Sequence, residues 1–136
     1  AIATRGEAIA KGWVGSLTMG AGQFCTNPGI VVLLKGADAE KYVETATEAL
    51  SAVGPQTMLT DGIADAYRKG AIKIAGTEGV RSVLTSTCDL RNAKPYLFAT
   101  TGENWLGNER LWTTVMVVHR WVPNIVPLVF VQTPPN

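Results

Sequence analysis

Histidine and cysteine are both scarce in this sequence. It has one histidine, two cysteines and no C-x-x-C pair, so a zinc site built from cysteine and histidine ligands is excluded. A disulfide between Cys25 and Cys88 stays open at this level, but two cysteines in a chain with 46% hydrophobic residues do not make the framework of a small secreted protein. We therefore expect a cytoplasmic protein.

Charge and long apolar runs are also in short supply. Charged residues make up 17% of the chain and the net charge is +1, which leaves no basic surface for nucleic acid or for anionic membranes. No apolar run reaches the length of about 18 residues that a membrane span needs. The first residues, AIATRGEAIAKGW, lack the apolar core of a secretory signal. We expect neither nucleic acid nor a membrane among the partners.

The hydrophobic pattern alternates between helical and strand periodicity. Apolar residues at helical spacing predict a helix over residues 2–19, and the β-branched run at 30–35 predicts a buried parallel strand. Helices are predicted at 37–53 and at 60–76 with Thr60 as N-cap, a short helix or a turn at 103–112, and strands at 80–86 and 95–101. This order indicates an α/β fold with a small, mostly parallel sheet and helices packed on it.

The last part of the chain, residues 113–136, has a different character. Its apolar runs at 115–118 and 125–131 are interrupted by Pro123 and Pro127. Because proline cannot donate to a sheet ladder, strands here are predicted to be edge strands or to start late. We therefore divide the chain at residue 112 into a main domain, 1–112, and a divergent tail, 113–136.

The stretch GAGQFCTNPG, residues 20–29, places Cys25 in a turn rich in glycine and polar side chains. A structural cysteine usually has apolar neighbours, whereas Gln23, Thr26 and Asn27 surround this one. A thiolate in a partly exposed polar setting is a nucleophile, so Cys25 is a candidate catalytic residue; the alternative is an inert thiol. Cys88 lacks this context and is interpreted as structural.

The segment GWVGSLTMGAGQFCTNPG resembles the nucleophile segment of aldehyde dehydrogenases. The family signature is a glycine–glutamine pair followed by the catalytic cysteine, here Gly22, Gln23 and Cys25. Within this family, the residues around Cys25 resemble those of the ketoglutarate-semialdehyde (2,5-dioxovalerate) dehydrogenases. MLTDGIADAYRKG and PYLFATTGENWLGNERLW are similar to the same branch, so the resemblance covers residues 1–112.

The resemblance implies part of an aldehyde dehydrogenase catalytic domain with Cys25 as its nucleophile. In that family the cysteine attacks an aldehyde, hydride passes to NAD(P), and the resulting thioester is hydrolysed. The backbone N–H of the cysteine is one donor to the oxyanion, a large term in acyl chemistry. Carried over, Cys25 supplies both the thiol and this N–H.

The sequence also departs from the family pattern. The family's dinucleotide-binding domain, its general-base glutamate and its oxyanion asparagine correspond to positions before Ala1, and the chain has no G-x-G-x-x-G loop. After NERLW the family reads Glu-Glu, an aliphatic residue and Phe-Gly-Pro, whereas this chain reads TTVMVV. The expectation is a truncated domain with an unrelated tail, and no cofactor for this chain.

The sequence offers two sources of a general base that would deprotonate the Cys25 thiol. His119, the single histidine, would activate the thiol if the tail folds back across the turn, and a thiol–imidazole pair is a common arrangement. The alternative is an exposed histidine with no such role. Glu103 or Glu109 is a weaker candidate for the same task.

Substrate binding is assigned to the residues beside the nucleophile. Gln23 and Asn27 are the candidates, with Asn27 as a donor to a bound oxyanion. The alternative for Asn27 is a turn-forming role, which is common for asparagine before proline.

Three functions follow as expectations. The first is a cysteine-dependent esterase that hydrolyses small esters without a cofactor, and the expected partner is a small ester or aldehyde-like molecule. The second is a folded aldehyde dehydrogenase fragment with no activity of its own. The third is an assembly module. Because part of the parent sheet would be missing, we expect open sheet edges and a homo-oligomer.

Overall fold

A computed structural model describes residues 1–109 and the backbone of residues 128–132. Within these residues, four α-helices and seven strands form a four-stranded sheet with helices on both faces, beside a second, three-stranded sheet. The α/β prediction is confirmed. The helices are α1 (Ile2–Thr18), α2 (Ala37–Ser51), α3 (Asp61–Ala75) and α4 (Gly102–Gly107). The strands are β1 (Ile30–Leu34), β2 (Gln56–Thr57), β3 (Val80–Leu84), β4 (Cys88–Asp89), β5 (Asn92–Ala93), β6 (Leu97–Thr101) and β7 (Leu128–Gln132).

The larger sheet has the strand order β1-β7-β6-β3. Strands β1, β7 and β6 are parallel, and β3 is antiparallel to β6, so the sheet is mostly parallel as predicted. The register places Ile30 level with Phe98 and Leu33 level with Thr101. The smaller sheet, β2-β5-β4, is antiparallel and was not predicted, because strands of two residues carry no periodic pattern.

Strand β7 corrects one expectation for the tail. It lies inside the sheet and pairs with β1 on one side and β6 on the other, so it is not an edge strand. It begins at Leu128, the residue after Pro127 in the sequence, which agrees with the predicted late start. The run at 115–118 lies outside the described residues.

One face of the sheet is covered by α1 and α2. The buried positions of each helix recur every three or four residues, the spacing of a single helical face. They pack with Leu33 of β1 and Leu97 of β6 into one core. The buried residues of the two helices are Ala10, Trp13, Val14, Leu17, Ala39, Tyr42, Ala46 and Leu50.

The opposite face of the sheet is covered by α3. Thr60 caps this helix as predicted, since its hydroxyl accepts a hydrogen bond from the Ile63 N–H at 3.2 Å. Phe98 of β6 lies in the second core, while its neighbour Leu97 lies in the first, because successive strand residues point to opposite faces. The other buried members of the second core are Met58, Ala64, Tyr67, Ala71, Ile74 and Ala93.

The prediction that β1 is buried is wrong for one of its faces. Leu33 is buried against α1 and α2, but Val32 is 63% exposed and Leu34 72% exposed on the other face. β1 forms the edge of the sheet, and no described residue covers these two side chains. Within the described part of the chain, none of the helices is long and apolar enough to cross a membrane.

Two buried tyrosines make the stability of the fold decrease at alkaline pH. Burial raises the pKa of Tyr42 to about 12, and burial also raises the pKa of Tyr67, whose hydroxyl donates to the Lys94 carbonyl at 2.9 Å. In the unfolded chain a tyrosine ionises near pH 10, so above that pH the unfolded state releases protons that the folded state retains. Stability is therefore complete below about pH 10 and falls above it.

We expect the free energy of unfolding to be level from pH 8 to about 9.5 and to decline toward pH 11. Urea titrations followed by tryptophan fluorescence measure it. In Tyr42→Phe the decline should be shallower, because one tyrosine with a raised pKa is gone. A level profile through pH 11 in the unmodified chain would show that the tyrosines are not protected.

Candidate functional site

The turn between α1 and β1, here named the nucleophile turn (residues 19–29), begins with an unusual backbone. Gly20, Ala21 and Gly22 have φ values of 57°, 58° and 74°, so three successive residues are left-handed. Glycine adopts this conformation freely, but for a residue with a Cβ it costs roughly 1–2 kcal/mol. Surrounding contacts must therefore hold the turn in this shape.

Gln23 supplies one set of these contacts. Its Nε2 donates to the Gly20 carbonyl at 2.9 Å, and its Oε1 accepts from the backbone N–H of Leu59 at 2.8 Å. The side chain thereby ties the left-handed segment to the residues just before α3. Its amide is engaged with the backbone of this chain, and its role in substrate binding stays a prediction.

Asn27 supplies the second set. It is 5% exposed, and its Nδ2 donates to the Leu17 carbonyl at 2.8 Å and to the Gly22 carbonyl at 3.1 Å. Both partners are pure acceptors, so the amide orientation is determined by the network. Asn27 Oδ1 is buried and has no hydrogen-bond partner among the described residues.

This geometry corrects the expectation that Asn27 donates to a bound oxyanion. Both amide hydrogens are already donated within the chain, and the side chain is buried. The carbonyl of Leu17 belongs to the last turn of α1, where carbonyls lack helical partners. Asn27 thus joins the end of a helix to the nucleophile turn.

Cys25 is exposed at the tip of this turn and its thiol is free. The Asn27 N–H donates to the Phe24 carbonyl at 3.1 Å, which closes a β-turn with Cys25 and Thr26 at its two central positions. In the described part of the chain, the Cys25 N–H donates no hydrogen bond. The turn therefore presents a thiol and a backbone donor from the same residue.

Trp13 holds the far end of the turn, a contact that the sequence analysis missed. Its indole N–H donates to the Pro28 carbonyl at 2.7 Å, and its ring packs against Tyr42 with centroids 6.3 Å apart. Buried tryptophan usually finds a partner for its N–H, so an acceptor could be expected, although its identity could not. The Leu59 N–H that binds Gln23 is a backbone group, which leaves no signal in the sequence.

Of the candidate bases, Glu103 lies far from Cys25 in the described structure. Glu103 lies in the first turn of α4, which starts at the carboxyl end of β6. The nucleophile turn precedes the amino end of β1, and the two strands run in the same direction. A strand of five residues spans about 16 Å, so Glu103 and Cys25 lie at opposite ends of the sheet.

Of the other two candidate bases, Glu109 is exposed beyond the end of α4, and His119 lies outside the described residues. Cys88 is half-buried beside the second core and its thiol is free, so it forms no disulfide with Cys25. The Arg68 guanidinium donates to the Cys88 carbonyl at 3.1 Å and to its sulfur at 3.4 Å, which fits a structural residue.

Comparison with curated proteins finds relatives that are both named alpha-ketoglutaric semialdehyde dehydrogenase. The chain is 52% identical over 83 residues to Alpha-ketoglutaric semialdehyde dehydrogenase 2 of Azospirillum brasilense, covering 61% of this chain and 16% of that protein. It is 30% identical over 100 residues to Alpha-ketoglutaric semialdehyde dehydrogenase of Acinetobacter baylyi, covering 72% of this chain and 19% of that protein. The chain thus spans less than a fifth of the length of these relatives. No protein-family model matches it.

The fold has a counterpart among solved structures. A NAD-dependent benzaldehyde dehydrogenase from Corynebacterium glutamicum superposes with a TM-score of 0.64 over 94% of this chain and 27% of that chain. The sequence identity is 16%, so this similarity establishes the fold alone.

Proposed function

Because this chain is a segment of an aldehyde dehydrogenase, we propose that Cys25 is its nucleophile. We propose further that the chain performs cysteine-based acyl transfer, seen as hydrolysis of small activated esters without a nucleotide. The observation that carries the proposal is the nucleophile turn. In the described structure, Cys25 has an exposed free thiol and a backbone N–H that donates no hydrogen bond. Thiolates are strong nucleophiles toward acyl carbon.

The proposed reaction has two halves. The Cys25 thiolate attacks the ester carbonyl carbon, a C–S bond forms, and the carbonyl π electrons move to the oxygen. The Cys25 N–H donates to this oxyanion, which then collapses and expels the alcohol oxygen as an anion that takes a proton from water. Water next attacks the thioester by the same route, the C–S bond breaks, and the carboxylic acid and the thiolate are released.

The nucleophile turn does not fit the phosphates of NAD(P). Dinucleotide phosphates bind where a strand leads through a glycine-rich loop into the N-terminus of a helix. In this chain the glycine-rich turn has the reverse order, because it follows the end of α1 and leads into β1. The phosphates would meet helix carbonyls instead of N–H groups. No step is therefore assigned to a nucleotide in this chain.

Within a longer enzyme the same residue would serve a different substrate. Both curated relatives are named for alpha-ketoglutaric semialdehyde, so we propose that this segment supplies the nucleophile for oxidation of that aldehyde when the rest of the enzyme is present. NAD(P) would then be the acceptor. The alternative, a folded segment without activity of its own, predicts no ester hydrolysis above background.

Two further expectations accompany the proposal. A cytoplasmic location fits the two free thiols, which reducing compartments maintain, and fractionation of the native host would test it. A homo-oligomer fits the open edge of β1 with its exposed Val32 and Leu34, and it stays a prediction for sedimentation velocity to measure.

The ester p-nitrophenyl acetate tests the proposed activity. Its leaving group is a stable anion, so the reaction makes little demand on a general acid. We expect the purified chain to hydrolyse this ester and Cys25→Ala to fall to the rate without protein, because the nucleophile is lost. Release of p-nitrophenolate at 400 nm measures both rates.

Cys88→Ala is the matched control, since it removes the other thiol and leaves the nucleophile turn untouched. Its rate should stay within about twofold of the unmodified chain, because Cys88 is not the attacking thiol. Equal rates in the unmodified chain and in Cys25→Ala would eliminate the esterase and favour the segment without independent activity.

A further inference from the structure

We propose that Asn27 is a positioning residue that holds the Cys25 N–H where the oxyanion forms. This inference rests on the function proposed above and assigns Asn27 a role that acts through the backbone, not through contact with substrate. Its side chain is 5% exposed and donates both amide hydrogens, to the carbonyls of Leu17 and Gly22.

The two hydrogen bonds enclose the nucleophile. Gly22 precedes Cys25 and Asn27 follows it, so the bond from Nδ2 to the Gly22 carbonyl at 3.1 Å closes a ring that contains Cys25. The second bond, 2.8 Å to the Leu17 carbonyl, anchors this ring to α1. Since α1 packs on the sheet, the orientation of the ring is tied to the rigid part of the fold.

The fit around the amide is tight. A Cβ on Gly22 would lie 3.1 Å from Asn27 Nδ2 and 3.3 Å from the Leu17 carbonyl oxygen. Gly22 also has a φ of 74°, which disfavours any residue with a Cβ. The left-handed backbone and the amide are therefore matched to one another, and removing either should move the other.

The backbone alone keeps the β-turn closed but does not orient it. The Asn27 N–H to Phe24 carbonyl bond at 3.1 Å and the Gly29 N–H to Asn27 carbonyl bond at 3.0 Å involve no side chain. They would survive replacement of the Asn27 side chain. What would be lost is the tie from the turn to the Leu17 and Gly22 carbonyls, and the Trp13 indole bond to the Pro28 carbonyl would remain. The Cys25 N–H would then be held less firmly in one position.

Two reactions of the same thiol separate positioning from simple exposure. Iodoacetamide alkylates Cys25 by displacement of iodide and forms no oxyanion, whereas acylation by p-nitrophenyl acetate passes through one. The acylation-to-alkylation ratio of the two rate constants therefore reports stabilisation of the oxyanion. We would measure both at Cys25 by peptide mass spectrometry at one pH, in a Cys88→Ala background, with N-acetylcysteine as the reference thiol.

In Asn27→Ala we expect this ratio to fall about tenfold or more, because losing a single oxyanion donor costs about a hundredfold or more in other acyl-transfer enzymes. Alkylation should change less than about twofold, since the thiol stays exposed. Thr100→Val is the matched control: Thr100 is 4% exposed and donates at 2.8 Å to the Gly79 carbonyl at the far end of the sheet. Its ratio should equal that of the unmodified chain.

The outcomes are distinct. A ratio in Asn27→Ala equal to that of the starting chain, or an equal fall in Thr100→Val, overturns the positioning role and leaves the esterase intact. A starting chain whose ratio equals that of N-acetylcysteine overturns the esterase and the positioning role together. If circular dichroism shows that Asn27→Ala does not fold, Gly22→Ala displaces the same amide and must lower the ratio likewise; an unchanged ratio there overturns the role.

Discussion

Phe98→Ala is expected to lower the free energy of unfolding by about 3–5 kcal/mol, the cost of emptying a large buried aromatic site. Phe98 is 1% exposed and lies in strand β6, between β7 and β3. Its ring stacks on Tyr96 with centroids 6.1 Å apart and planes 3° apart. A rigid sheet cannot collapse to fill the space, so lost burial and a cavity both contribute.

Phe24→Ala is the matched control because it makes the same chemical change at a residue that is 48% exposed. We expect it to cost less than about 1 kcal/mol, since little apolar surface returns to water. Urea titrations of the three proteins, followed by circular dichroism, measure the difference. Similar midpoints for both variants would mean that Phe98 is not in a packed core. Because domains of this size have about 5–15 kcal/mol in total, this loss is a large fraction of the stability.

Asn27→Asp is expected to be the most damaging isosteric change in the nucleophile turn. It replaces the two N–H donors by a carboxylate that faces the carbonyls of Leu17 and Gly22, at a site that is 5% exposed. An unpaired buried charge costs about 3–5 kcal/mol. The neutral form of the carboxyl offers one O–H donor, so the folded variant favours the protonated state.

This preference predicts a pH dependence with a definite sign. An aspartate ionises near pH 4 in the unfolded chain, whereas the folded variant retains its proton to higher pH. Stability is thus present at low pH and is lost as the pH rises from about 4 to neutrality. The difference in unfolding free energy between Asn27→Asp and Asn27→Ala should widen over this range. Chemical denaturation at pH 4.5 and 7.5 measures it; parallel behaviour of the two variants would contradict the assigned amide orientation.

Local sequence patterns were sufficient for most of the individual elements. Thr60 predicts the start of α3 because a threonine hydroxyl caps a helix within a few residues of itself. The β-branched run beginning at Ile30 predicts β1, and GAGQFCTNPG predicts a turn with an exposed thiol. Each of these features depends on neighbours in the chain, which the sequence displays directly.

The environment of each element was decided at long range. Whether β7 lies at an edge or inside the sheet depends on its pairing with β1 and β6, both far from it in the chain. Periodicity specifies which face of a strand is apolar but not which strand lies beside it. The same limit explains Val32, whose apolar side chain is exposed because β1 forms the sheet edge.

The candidate site shows the same division. Residue types alone make Cys25 a candidate nucleophile and make Asn27 either a ligand-binding or a turn-forming residue. The folded chain resolves this choice, because α1 brings the Leu17 carbonyl to the Asn27 amide and buries it. It also separates Glu103 from Cys25 by the length of the sheet. Such contacts follow from the packing of whole elements, whereas a sequence motif records only the order in which side chains occur.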